Sequence, residues 1–196
     1  MTSMDAAGWD ARYAMAQQWS DEPNALAAQT LVGLSPGRAL DVAAGEGRMA
    51  LWLASQGWQV TALDFSAVGL ARGRTRAAER GLDIDWRVAD ATTAPLEPAS
   101  YDLVLVLYLH LARLELTAAL RSAAAAVAPG GLLLALGHDR DNLDRGTGGP
   151  QDPALLWDVE VLREIAAGLQ IDRLGQVERV VGDQAAVDVL LAARRA

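Results

Sequence analysis

Three carboxylates stand at or beside the ends of short apolar runs. Asp41 lies in Ala39-Leu40-Asp41-Val42, Asp64 follows Val60-Thr61-Ala62-Leu63, and Asp90 follows Val88-Ala89. Between the first two lies Ala43-Ala44-Gly45-Glu46-Gly47-Arg48, a turn that opens a helical pattern. Glycines let a backbone approach a ligand closely, and the helix start offers free N–H groups and partial positive charge. An acid at the end of the second strand can accept two hydrogen bonds from vicinal ribose hydroxyls. Asp41 beside the glycine turn would repel a diphosphate and welcome an amine or a sulfonium. The three acids therefore describe a rim for an adenosine-like ligand that carries positive charge and no pyrophosphate.

The proton chemistry available is narrow. The chain has two histidines, His110 and His138, no cysteine, and no lysine among its 17 basic residues. These absences exclude disulfides, a thiolate nucleophile, cysteine metal sites, a Schiff base and a Walker-type lysine. Tyr108 and His110 follow one apolar run, and His138, Asp139, Arg140 and Asn142 follow another. Either histidine can serve as a general base; either can equally be a satisfied hydrogen-bonding or capping residue. The spacing of Asp139, Asp141 and Asp144 fails the calcium-loop pattern, with Pro150 at the closing position, so no metal site is expected. Arg140 and Arg145 are placed to draw in an anionic acceptor. Against 17 bases stand 25 acids, a net charge of −8 that repels phosphate backbones, so a nucleic-acid partner is not expected.

The elements that must position these groups alternate along the 196 residues. Helical patterns over 5–20 and 24–33 are broken at Asp21-Glu22-Pro23. Strands are expected at 39–42, 60–63, 84–88, 103–107 and 132–136, with helices from 48 to 57, 66 to 81 and 113 to 127 between them. The near-continuous apolar run Leu103–Leu107 fits a strand buried on both faces. Residues 138–153 read as a polar lid loop, 156–168 as a helix, and 171–181 with 185–191 as a hairpin turning at Gly182-Asp183. This predicts a single α/β domain: a three-layer αβα sandwich with a mostly parallel seven-stranded sheet and one antiparallel strand in a C-terminal hairpin. Its parts are an N-terminal helical cap (1–33), a cofactor-binding core (38–137), the lid loop and the C-terminal helix and hairpin (156–196). No run is long enough for a spanning helix and no secretory signal is evident, so a cytoplasmic protein, monomer or homodimer, is expected.

These motifs, in this order on these elements, resemble the class I S-adenosylmethionine-dependent methyltransferases. Ala39–Gly47 (ALDVAAGEG) is similar to the family's first motif and Leu63-Asp64-Phe65-Ser66 to its acidic second-strand motif. Val88-Ala89-Asp90-Ala91 is similar to the adenine-loop motif, and Val127-Ala128-Pro129-Gly130-Gly131 to the turn before the fifth strand. The resemblance implies a Rossmann-like sandwich that binds S-adenosyl-L-methionine and releases S-adenosyl-L-homocysteine. It implies that Asp41, Ala43, Gly45, Glu46, Gly47 and Arg48 hold the methionine portion and that Asp64 binds the ribose. Phe65 would pack on the adenine, Asp90 and the Ala91 N–H would read its edge, and Leu107 and Trp19 would complete the cofactor site. Where the family often has glycine this chain has Ala43, which sits without strain if its φ is negative. Trp9-Asp10-Ala11-Arg12-Tyr13, Trp19 and Pro23-Asn24 resemble the N-terminal helices of the tellurite-resistance and thiopurine methyltransferase-like branch, where such helices cover cofactor and substrate. The implied reaction is in-line methyl transfer to O, N, S or a chalcogen of a small molecule, with His138, His110 and Tyr108 as candidate catalytic groups. Two other readings stay open here: Gly45–Ala50 also matches the Gly-x-Gly-x-x-Ala fingerprint of an NAD(P)-binding oxidoreductase, and a non-catalytic cofactor-binding scaffold would look the same.

Overall fold

A computed structural model of the chain describes residues 4–196. Its seven strands are β1 (Arg38–Val42), β2 (Gln59–Asp64), β3 (Ile84–Val88), β4 (Tyr101–Leu107), β5 (Val127–His138), β6 (Gln170–Val181) and β7 (Gln184–Arg194). They form one sheet in the order β3-β2-β1-β4-β5-β7-β6. Neighbours among β1 to β5 pair in parallel, while β7 runs antiparallel to both β5 and β6. The mostly parallel sheet with a C-terminal hairpin is the architecture expected from the sequence.

Strand alternation sorts the apolar residues onto two faces. Leu40, Val42, Val104, Val106, Leu133 and Ala135 pack under α5 (Arg113–Ala126) and α7 (Val159–Ile165). Ala39, Leu103, Leu105, Leu134 and Leu136 pack under α2 (Ala25–Thr30), α3 (Arg48–Ser55) and α4 (Ala67–Glu79). Buried on both sides, β4 needs an unbroken apolar run, which is what its sequence supplies. Among the described residues no helix is long and apolar enough to cross a membrane.

The chain departs from the expected elements in two places. The first helix, α1 (Ala6–Met15), stops at Ala16, which is fully extended, because Gln18 and Trp19 donate their N–H groups to the Glu46 carboxylate at 2.9 and 3.3 Å. Residues 138–153 are in part structured: α6 (Asn142–Arg145) forms, and a 3-10 turn follows at Pro153–Leu155. Asn142 pins this segment, accepting from Val187 N at 2.7 Å and donating to Gly148 O at 2.9 Å. Strand order reverses between β1 and β4, and the loops leaving these two strands open the crevice where ligands bind in such sheets.

Candidate active site

Both exits at this crevice are strained. Ala43, just past β1, has φ +59, and Tyr108, just past β4, has φ +57. Non-glycine residues in the left-handed region cost about 1–3 kcal/mol each, and such strain concentrates at functional sites. The negative φ that would seat Ala43 comfortably is therefore not adopted. Gly45 and Gly47 continue the turn at φ +59 and +74. A Cβ on Gly45 would lie 2.7 Å from the Tyr13 hydroxyl, and one on Gly47 2.5 Å from the Trp86 ring, so these positions also need glycine for space.

Asp41 and Asp64 lie at neighbouring strand tips under this turn, both buried. Asp41 receives an N–H bond from Ala50 in the first turn of α3, a helix whose N-cap, Gly47, has no side chain to give. Burial, with Asp64 nearby, pushes the Asp41 carboxyl up to about 7. Asp64 accepts from Gly45 N and Ser66 N, both at 2.8 Å; burial raises its pKa and these two bonds oppose the rise. Two residues past the end of β3 the exposed Asp90 folds back on Thr92, accepting its N–H at 2.8 Å and its hydroxyl at 2.7 Å. Phe65 is half-buried and Ala91 buried beside these acids, and half-buried Leu107 ends β4. The three acids expected at one edge are brought there by the register of β1, β2 and β3.

The N-terminal segment lies over this rim. Asp10 of α1 accepts from Val68 N at 3.1 Å and from the Ser66 hydroxyl at 2.5 Å, capping α4 from outside. Tyr13 is buried against Gly45 and Gly69, stacks on Trp9 and lies 3.5 Å from Trp19 Nε1; burial raises its hydroxyl to about 12. Trp19 in turn covers the Arg48 guanidinium, 5.7 Å from its ring centre. Glu46 points to this cover: its carboxylate holds Gln18, Trp19 and, at 3.3 Å, Arg72.

Across the crevice, sequence reasoning named Tyr108, His110 and His138 but missed the acid that joins them. Asp188 is fully buried in β7, opposite His138 in the β5–β7 register. One of its oxygens accepts from the Tyr108 hydroxyl and from Arg179 Nε, both at 2.8 Å, and the other lies 2.9 Å from His138 Nδ1. Burial alone would raise this carboxyl, yet the bonds from His138, Arg179 and Tyr108 outweigh it and hold Asp188 below the usual carboxylate range. Asn24 Nδ2 reaches the Tyr108 hydroxyl at 3.2 Å, so the N-terminal cover touches this cluster too. Burial and the neighbouring Asp188 push the Tyr108 hydroxyl well above its ordinary value.

His110 and His138 stack, with ring centres 5.3 Å apart and planes 15° from parallel. His110 Nδ1 sits 2.9 Å from the Leu155 carbonyl, an acceptor, so this nitrogen carries the proton and Nε2 has the lone pair. Burial pushes the His110 pKa down to about 4, which keeps the ring neutral near pH 7. Asp188 had one signal in the sequence: it is the single charged residue within 185–193, an otherwise apolar strand. Among the described residues no cluster of His, Cys, Asp or Glu is arranged to hold a metal.

Residues 39–131 match a family model described as a methyltransferase domain. Over 104 residues the chain is 34% identical to demethylmenaquinone methyltransferase of Thermus thermophilus, covering 52% of this chain and 47% of that one. A solved structure bearing on conversion of a disulfide bond into a thioacetal group in echinomycin biosynthesis superposes with TM-score 0.78, at 24% identity over 97% of this chain and 92% of that one. TehB from Haemophilus influenzae superposes with TM-score 0.75, at 17% identity over 89% of this chain and 63% of that one. At these identities the two structural likenesses are likenesses of fold. The chain spans from 25% to 47% of the length of the curated relatives it matches.

Proposed function

We propose that the chain, whose residues 39–131 match a methyltransferase domain, is a class I S-adenosylmethionine-dependent methyltransferase that transfers a methyl group from S-adenosyl-L-methionine to a nucleophilic atom of a small molecule. The observation that carries this reading is the rim itself: a left-handed glycine turn over buried Asp41, with Asp64 and Asp90 on the next two strand tips. The donor set fits the group. Two buried carboxylates raised by burial favour a cation beside them, and the turn has no room for side chains at Gly45 and Gly47.

In this reading Asp41, Ala43, Gly45, Gly47 and Arg48 hold the methionine portion, and Asp64 receives the ribose. Phe65 packs on the adenine, Asp90 and Ala91 meet its edge, and Leu107 and Trp19 close the sides. Glu46 serves the site indirectly, by holding residues 18 and 19 over the turn. When bound, the cofactor supplies an activated methyl group on a sulfonium. The chain's own work is to align the acceptor, exclude water beneath α1 and the 16–24 segment, and manage a proton near His138. The N-terminal cover fits the resemblance to the tellurite-resistance and thiopurine branch, but fold likeness assigns no acceptor.

Calorimetric titration with S-adenosyl-L-homocysteine tests the proposal. Binding below millimolar concentration is expected, with Asp64→Ala weakening it at least tenfold. Wild-type protein that takes up no ligand would end this reading, and unchanged affinity in Asp64→Ala would remove the ribose assignment.

A further inference from the structure

Asp188 is an acid in a place that disfavours acids. A carboxylate enclosed in a sheet is strongly disfavoured unless it is fully paired. Arg179 and the Tyr108 hydroxyl already satisfy one of its oxygens. The other oxygen lies 2.9 Å from His138 Nδ1 at an angle outside hydrogen-bond geometry, and neither atom has another partner among the described residues. A small turn of the ring brings Nδ1–H onto that oxygen, and a carboxylate that accepts there fixes the imidazole's tautomer, which leaves the Nε2 lone pair for another partner. The groups facing His138 are Asp188 from β7, Arg179 from β6 behind it, Tyr108 from the β4 exit and His110 beside it. His110 adds a second feature: its Nε2 is buried and has no hydrogen-bond partner among the described residues. An orphaned neutral acceptor stacked on the His138 ring is what a ligand's O–H, N–H or S–H group would satisfy.

We propose that Asp188 is the positioning residue of a proton-accepting pair, holding His138 by Nδ1 so that Nε2 takes the proton of a protic acceptor. This rests on the methyltransferase reading and narrows its substrate class. An acceptor that is aprotic or already anionic has no proton to lose, and would leave the pair idle. For a protic acceptor the balance is complete. The bond from its O, N or S to the methyl carbon forms as the carbon–sulfur bond breaks, whose electron pair stays on sulfur. The acceptor's proton moves to His138 Nε2 and then to water. Tyr108, through its bond to the same carboxylate, and Asn24, through Tyr108, keep the pair in register.

The test joins one structural and one kinetic readout. With two histidines in the chain, nitrogen-15 spectra of labelled protein are assignable from a single variant. Wild type should show His138 protonated at Nδ1 near neutral pH. In Asp188→Asn, Arg179 can only donate, so it holds the amide oxygen and turns the amide nitrogen towards His138. His138 should then switch to the Nε2-protonated tautomer. An Nε2-protonated His138 in the wild type would overturn the pairing.

For turnover, phenols, thiols and aromatic amines are screened. In whichever class reacts, His138→Gln is compared on one acceptor un-ionised at the assay pH and one, such as a nitrophenol, already ionised. A loss of about 100-fold is expected on the first and less than about threefold on the second, since only the first needs a base. Equal losses on both, or none, would overturn the proposal and reduce His138 to packing. Homocysteine-product binding with no turnover of any protic acceptor would overturn it while leaving the cofactor reading intact. Failure to bind that product at all would instead sink the cofactor reading, with the tautomer result still reporting on the pair.

Discussion

At the residue scale the crevice rim holds two acids, Asp41 and Asp64, away from their preferred ionisation. Asp41 exchanges a solvated carboxylate for an enclosed one with an N–H from Ala50, and its pKa stands near 7 against an ordinary value of 3.8. The folded state therefore binds more protons than the unfolded chain between about pH 4 and 7. Stability must fall as pH rises through that window, by an amount on the order of a few kcal/mol if the whole shift is expressed. Asp41→Asn keeps the shape and can still accept from Ala50 while removing the charge. At pH 8 the variant should melt at a higher temperature than wild type, with the two converging near pH 4. Parallel melting curves across this range would show that Asp41 is ionised at little cost. If Asp41 holds the methionine portion as proposed, the same variant should bind S-adenosyl-L-homocysteine more weakly, since the ammonium loses a carboxylate.

At the element scale the N-terminal segment acts as a cover tied to the core by side-chain hydrogen bonds as well as by the packing of Tyr13. Met15 and Trp19 remain exposed, while Asp10, Tyr13, Glu46 and Asn24 make the attachments. Glu46→Ala would leave two N–H groups and Arg72 without their acceptor, a loss of about 1–3 kcal/mol. Amide exchange at Gln18 and Trp19 should speed up markedly, with β1, β4 and β5 amides unchanged. Unaltered protection at residues 18 and 19 would mean the cover is held elsewhere. This arrangement also marks what a sequence can and cannot tell. The helical pattern of 5–20 carried no sign that the chain would straighten at Ala16, because the cause is a carboxylate 28 positions away from Gln18. The acids at the tips of β1, β2 and β3 were legible because each closes its own strand within a local motif. Asp188, Arg179 and Asn24 were not, since their meaning depends on the register of β5 with β7 and on a helix folded back over β4.

At the scale of the whole molecule, charge and topology select the ligand together. The alternation of strands and helices fixes a parallel sheet whose switch point lies between β1 and β4, and any nucleotide-like ligand must enter there. That constraint is shared by dinucleotide-binding folds, and Gly45–Ala50 satisfies their fingerprint as well. What separates the two is the field. The molecule carries a net charge of −8, and Asp41 and Asp64 lie beneath the turn where a diphosphate would have to sit. An anionic dinucleotide meets like charge at long range and two buried acids at short range, and the latter interaction is little screened by salt. In the proposed placement S-adenosyl-L-homocysteine brings an ammonium to the same place. A ligand at 100 times its dissociation constant adds about 2.7 kcal/mol to stability. For a chain of this length that corresponds to a rise in melting temperature of roughly 5–10 °C. Thermal unfolding should therefore shift by this much with S-adenosyl-L-homocysteine and not at all with NAD or NADP at equal concentration, at both low and high salt. A shift with NADP that outgrew the other would place phosphate beside Asp41 and reverse the electrostatic argument.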